Sequence, residues 1–435
     1  MNRQPVNRRR VVLTGAGAVT PLGNDAPSTW DGLSAGRSGV DRFRLFDPTG
    51  FPVRIAGQVR GFDARTALPA QLRPGRFSRA GRFGIAAGLE ALRDAGLGTE
   101  SGDGYGPHGP EARGIALGAS VGRPELRQLT DIGALRAETG RPDAFLPRRP
   151  TDVLRDDQNL PLSALAQVMD AHGPAIGVST ACSGSAHAIG EAFRCLQEGD
   201  ATLMLAGGHD SLTSWCDILG FSLLGAMTEE YNDAPERASR PFDADRSGFV
   251  IGEGAVVFVL EELEAARARG ARILGEVLGY ASTMNAWRIT DSPPDGAGAA
   301  EAMAGALHEA GLAPEDVQYV VAHGTSTYGN DLSETNAIKS VFGDHAHRLL
   351  VSSPKSMAGH LTAAGAALNA LAALGAIRTG VVPPTLNLDT PDRKLDLDYV
   401  PHVARPARVT TAVVNAFAFG GSNTSLVVGA FREDT

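Results

Sequence analysis

The sequence predicts an α/β protein made of stacked sheets and helices. Strand-like apolar runs alternate with helix-periodic segments along the chain, and 435 residues at 43% hydrophobic content are enough for an extensive core. Strands are expected over residues 10–14, 114–118, 202–206, 255–260, 272–280, 317–322, 349–351 and 409–414, where short apolar runs end in glycine or polar turns. Helices are expected over 29–34, 81–95, 183–198, 299–310, 332–341 and 359–378. The third helix is the clearest: Ala186, Ile189, Phe193 and Leu196 recur at helical spacing until Gly199 closes it. Gly98–Pro110 is glycine-rich and reads as a surface loop.

Composition excludes several function classes. A net charge of −9, with Lys339, Lys355 and Lys394 as the only lysines, is the opposite of a nucleic-acid footprint. No uncharged apolar stretch approaches the roughly 20 residues of a membrane span. Met1–Arg10 is basic but lacks a hydrophobic signal core, so it reads as a short tail. Three cysteines cannot all pair, which points to a reducing, cytoplasmic setting.

Cys182 is the strongest candidate for chemistry. The apolar run Ala175-Ile176-Gly177-Val178 leads to it and a helix follows, so its sulfur is expected at a strand-to-helix junction. Free N–H groups and the positive helix end would lower the thiol pKa from about 8.5. The competing reading is a buried cysteine acting as a small hydrophobe. His323 and His360 favour the first. Each follows a strand-like run and opens a polar or glycine-rich turn, where α/β sheets place reactive groups. His345 and His347 lack acidic or cysteine partners at ligand spacing and read as surface loop. Gly15-Ala16-Gly17 mimics a dinucleotide fingerprint, but Thr20 stands where the third glycine belongs and Pro21 follows.

Thr180–Ser183, Arg240–Gly254, His323–Thr327, Lys355–His360 and Phe417–Asn423 together resemble the β-ketoacyl-acyl carrier protein synthases. The likeness runs in order from about Arg10 to Val428. It implies a thiolase-like fold of two similar halves stacked as α-β-α-β-α, with residues 10–265 carrying Cys182 and 266–430 carrying both histidines. It also implies a decarboxylative Claisen condensation between an acyl chain on Cys182 and malonyl carrier protein. Backbone N–H groups of Cys182 and Phe419 would form the oxyanion hole, and neutral His323 and His360 would stabilise the enolate. Lys355 and Glu334 resemble an ionic pair that orients the histidines. Thr325, Thr327, Thr290 and Phe417 would hold pantetheine and substrate, Phe221 would line the acyl pocket, and Phe419 would gate it.

No metal or organic cofactor is implied, since phosphopantetheine arrives on the carrier protein. Arg73, Arg76 and Arg79, with Arg82, form a basic cluster suited to an acidic carrier; a solvated helix face is the alternative. The resemblance implies a dimer, either of identical chains or with a chain-length-factor homologue. Thr327–Asp331 with Glu334-Thr335 is similar to dissociated polyketide ketosynthases, whereas Ala181–His187 is closer to fatty-acid enzymes. A polyketide or polyene ketosynthase is therefore expected, with housekeeping fatty-acid elongation as the alternative. A silent chain-length-factor-like partner is disfavoured because Cys182, His323 and His360 are all retained. Asn285, where elongating synthases often carry aspartate, and Ala418, where glycine is common, depart from the pattern.

Overall fold

The computed structural model describes residues 8–98, 104–122, 126–143, 154–155 and 157–433. In chain order the strands are β1 (Val11–Val19), β2 (Val40–Arg42), β3 (Ile55–Gly57), β4 (Arg113–Gly118), β5 (Ala175–Val178), β6 (Leu203–Ser211) and β7 (Glu253–Glu262). They continue with β8 (Gly275–Met284), β9 (Tyr319–Val321), β10 (Leu350–Ser352), β11 (Val381–Val382), β12 (Arg405–Pro406), β13 (Thr411–Phe417) and β14 (Ser422–Gly429). Ten of them form one mixed sheet in the order β10-β9-β13-β14-β8-β1-β7-β6-β4-β5.

That order contains a duplication that the sequence does not display. From the centre outward, β1-β7-β6-β4-β5 and β8-β14-β13-β9-β10 have the same pattern: two antiparallel pairings, then two parallel ones. The halves join where Val11–Leu13 pairs antiparallel with Gly275–Val277. The chain crosses between them through the helix Leu263–Ala268, inside which the expected division at 265/266 falls.

Helices complete five layers. Arg79–Asp94 covers β1 and β7 on one outer face, and Ala297–Ala310 covers β8 and β14 on the other. Between the half-sheets lie Gly184–Glu198 and Gly365–Thr379, packed on each other. Because strand side chains alternate, each strand serves two cores. Val257 and Val259 of β7 join Ile85 and Leu89 outside, while Val256 and Phe258 join Ile189 and Phe193 in the middle. Val413 and Val427 likewise meet Met303 and Leu307 outside, with Val414 and Leu426 facing Leu368 and Leu371 inside. The thiolase-like α-β-α-β-α stack is thus present.

Two expectations change. The helix expected over 359–378 starts only at Gly365; left-handed backbone at Gly359 (φ 71°) and Thr362 (φ 46°) breaks the segment that carries His360. In Gly98–Pro110, residues 99–103 lie outside the described residues. The remainder is anchored, with Tyr105 buried under Arg113 and His108 buried between Thr202 and Glu261.

Candidate active site

The duplication supplies two equivalent turns at the centre of the molecule. One is Ala181–Ser183 after β5, entered at Ala181 with φ 47° and followed by Gly184 opening the first middle helix. The other is Thr362–Ala364, entered at Thr362 with φ 46° and followed by Gly365 opening the second. Cys182 sits in the first turn and His360 just precedes the second. Cys182 therefore has its expected strand-to-helix position.

Its expected electrostatics are not found. The backbone N–H groups of Phe419 and of Cys182 itself point at the sulfur, and Lys355 adds positive potential, yet burial outweighs them and pushes the thiol up to about 11. Asp210 nearby adds to the rise. The resting group is a thiol at neutral pH. All three cysteines are free.

His323 follows β9. Its backbone N–H and that of Gly324 donate to the two carboxylate oxygens of Glu334, each at 2.8 Å, and Asn415 Nδ2 donates to the same carboxylate at 3.0 Å. Glu334 thus fixes the histidine's loop. His360 is held by its N–H to Val250 O (2.7 Å) and by Gly252 N–H to its carbonyl (2.8 Å). The imidazoles meet edge to face, ring centres 5.4 Å apart. Burial holds both pKa values well below 6.5, and the Lys355 charge pushes the same way, so both rings are neutral. His360 Nδ1 accepts the Thr362 N–H at 3.2 Å, which leaves its proton on Nε2.

Lys355 and Glu334 do not form the expected pair. Lys355 Nζ is buried without a hydrogen-bond partner among the described residues, and Glu334 spends its oxygens on the backbone of His323–Gly324 and on Asn415. They act on each other only through the field: burial lowers Lys355 to about 8, against the pull of Glu334 and Cys182.

A cavity of about 430 Å³ gathers Cys182, His323 and His360. Thr290, Thr325, Thr327, Phe221, Phe417 and Phe419 line it too, so every expected substrate contact reaches one space. Thr325 and Thr327 hydroxyls lie 2.9 Å apart. Phe419 stands in a loop whose Gly420 and Gly421 adopt φ 87° and 86°, open only to glycine at low cost. Gly420 N–H bonds Ile289 O, and Asn423 Nδ2 bonds Asn285 Oδ1 at 2.8 Å, coupling this loop to the segment that carries Thr290.

Two acidic residues were not singled out by the sequence. Asp331 accepts Thr325 N–H (3.0 Å) and Phe242 N–H (2.9 Å), tying the His323–Thr327 loop to Arg240–Gly254, a segment that is therefore a brace. Asp210 accepts Ser120 Oγ (2.6 Å), the Thr362 hydroxyl and Ala363 N–H, between the two equivalent turns. Its only sequence signal is an acid two residues beyond the glycine pair Gly207-Gly208.

The arginine cluster dissolves in part. Arg79 is committed to Glu253, with contacts of 2.6 and 2.8 Å, and stacks over Phe83. Arg82 is half-buried and bonds Pro74 O. Arg73 and Arg76 alone stay exposed.

Comparison with known proteins agrees with this geometry. The Beta-ketoacyl synthase N-terminal domain matches residues 8–266 and the C-terminal domain residues 274–389. The 3-oxoacyl-[acyl-carrier-protein] synthase 2 of Synechocystis sp. is 41% identical over 429 residues, covering 98% of this chain and 99% of that one. The ishigamide ketosynthase/chain length factor superposes with a TM-score of 0.86 at 34% identity over 98% of this chain and 100% of that one. The AntDE:AntF complex, a type II polyketide ketosynthase with its acyl-carrier protein and a bound hexaketide, gives 0.85 at 31%, with coverage of 98% and 100%. Among the described residues no helix is long and apolar enough to cross a membrane. The chain belongs to the β-ketoacyl synthase family, and it is an acyltransferase.

Proposed function

We propose that this β-ketoacyl-acyl carrier protein synthase elongates fatty-acyl chains in a dissociated system. One observation carries the chemistry: a single cavity presents the Cys182 sulfur, two N–H groups aimed at it and two neutral imidazoles. The acyl carbonyl of a carrier-bound thioester is attacked by Cys182, and the pantetheine thiol departs. The oxyanion meets the N–H groups of Cys182 and Phe419; losing one such donor typically costs roughly 100- to 1000-fold. Malonyl carrier protein then loses carbon dioxide, and its enolate oxygen is held by imidazole N–H groups, that of His360 at Nε2. The carbanion attacks the acyl-Cys182 thioester, the sulfur leaves, and the β-ketoacyl chain stays on the carrier. Thr325 and Thr327 bind pantetheine, and Phe419 gates the cavity.

The pathway expectation shifts from polyketide to its alternative. The fatty-acid-type relative is 41% identical to this chain, against 34% and 31% for the ishigamide and hexaketide ketosynthases, and this supports fatty-acid elongation. The partners in this reading are an acyl carrier protein, received near Arg73 and Arg76, and a second copy of the chain. Incubation with an acyl carrier protein bearing a saturated chain should add one acyl mass at Cys182, and Cys182→Ala should abolish it. His323→Ala and His360→Ala should each stop malonyl decarboxylation, and retained decarboxylation would refute their roles. One round of extension of a saturated primer is expected; repeated unreduced extension would restore the polyketide reading.

A further inference from the structure

A second cavity of about 460 Å³ adjoins the first, with Ser120 and Leu212 lining both. Ser120 Oγ bonds Asp210, which lines the second cavity and reaches Thr362, which lines the first, so the two spaces are joined by a short hydrogen-bonded chain of shared lining. The new element here is His209, on β6. It is 2% exposed, lines this second cavity, and neither ring nitrogen has a hydrogen-bond partner among the described residues. Burial drives its pKa down to about 4, so the ring is neutral and offers one donor and one acceptor.

The position is built for this ring. A Cβ on Gly84, in the covering helix, would lie 2.6 Å from His209 Cδ2, so only glycine leaves the imidazole its space. Gln158, from a separate segment, lines the same cavity and also has a buried, unbonded oxygen, Oε1. A plain alkyl chain entering here would leave both groups unsatisfied, and an unpaired buried polar group is costly. A hydroxyl supplies a donor and an acceptor at once, and a ketone answers the imidazole N–H.

We propose that this second cavity is a polar side chamber for the distal part of an oxygen-bearing acyl chain carried on Cys182, with His209 as its hydrogen-bonding partner. The inference rests on the condensing reaction proposed above. It widens the substrate class from plain fatty-acyl chains to chains oxygenated away from the thioester. His209 acts here as a specificity determinant and takes no part in bond making.

The test compares medium-chain acyl N-acetylcysteamine thioesters with counterparts of equal length bearing one hydroxyl toward the chain end. The readout is the rate of mass gain at Cys182. The wild-type enzyme should favour the hydroxylated member of at least one pair by about tenfold, the kinetic equivalent of roughly one hydrogen bond. His209→Leu should erase or invert that ratio. Should the leucine variant not fold, His209→Phe, which keeps the ring shape, replaces it. Equal rates or an alkyl preference in the wild type would overturn the chamber, and an unchanged ratio in the variant would overturn the role of His209. Butyryl thioester serves as a separate control in the wild type. If it fails to acylate Cys182 the condensing reading itself falls, whereas acylation without any hydroxyl preference refutes only the chamber.

Discussion

At Cys182 two opposing influences act on one sulfur, and the weaker is the one visible in the sequence. A helix start and two N–H groups favour thiolate, but removing the sulfur from water favours thiol by more, leaving it near 11. Iodoacetamide alkylation of Cys182 should therefore keep accelerating as pH rises past 9, with no plateau near neutrality; a plateau there would contradict the raised pKa. Lys355 is the cation that lowers this value, so Lys355→Met should slow alkylation at fixed pH by about three- to tenfold. The stability consequence has a definite sign. An unfolded thiol ionises near its ordinary value of 9 while the folded one keeps its proton, so the folded state loses stability between about 9 and about 11. The imidazoles behave conversely. Burial holds them neutral well below 6.5, so malonyl decarboxylation should not decline as pH falls through 6.5. A titration limb there, in a rate corrected for enzyme stability, would show a protonatable histidine in the cavity.

The nucleophile turn depends on how closely a helix can start against a strand. A Cβ on Gly118, at the end of β4, would lie 2.2 Å from the Gly184 carbonyl carbon and 2.5 Å from Ser185 N. Backbone cannot yield as a side-chain tip can. Gly118→Ala should therefore push the first middle helix outward, at a stability cost of about 2–3 kcal/mol in chemical denaturation. Misplacing the sulfur by an ångström should also cost about 100-fold in condensation rate. A fully active alanine variant would mean that the turn moves independently of the strand. This dependence explains what was legible beforehand. Cys182, His323, His360 and Phe419 lie in short contiguous motifs, so their placement could be read from the sequence. Asp210 owes its position to Thr362, 152 residues away, and Asn415 meets Glu334 across 81 residues. Arg79 looked like surface charge because Glu253, which captures it, lies 174 residues along the chain. The Lys355–Glu334 pairing failed for a similar reason: the carboxylate had nearer backbone donors, invisible in a string of side chains.

The whole molecule is two copies of one pattern, and its two outer strand edges are treated differently. At β10, Leu350 bridges Asp398, and Val351 N–H bonds Asp398 O at 2.8 Å, so that edge is covered by the chain itself. At β5, Ala175 and Gly177 are exposed and Ile176 and Val178 half-exposed, an apolar strand edge of the kind that attracts another strand. A second copy adding its own β5 would extend the ten-stranded sheet across a twofold axis, which is the homodimer proposed above. The seam would also bear on catalysis, because Cys182 lies four residues beyond the end of β5. Lysines at the exposed positions Ala175 and Ser179 would set like charges into such a seam. The paired substitutions Ala175→Lys and Ser179→Lys should raise the dimer dissociation constant at least about tenfold in sedimentation velocity. The monomer so produced should keep its circular dichroism spectrum but lose condensing activity, because the strand that delivers the nucleophile is then held on its β4 side alone and its outer edge is unpaired. A variant that stays dimeric would place the interface elsewhere, and a fully active monomer would disconnect the seam from Cys182.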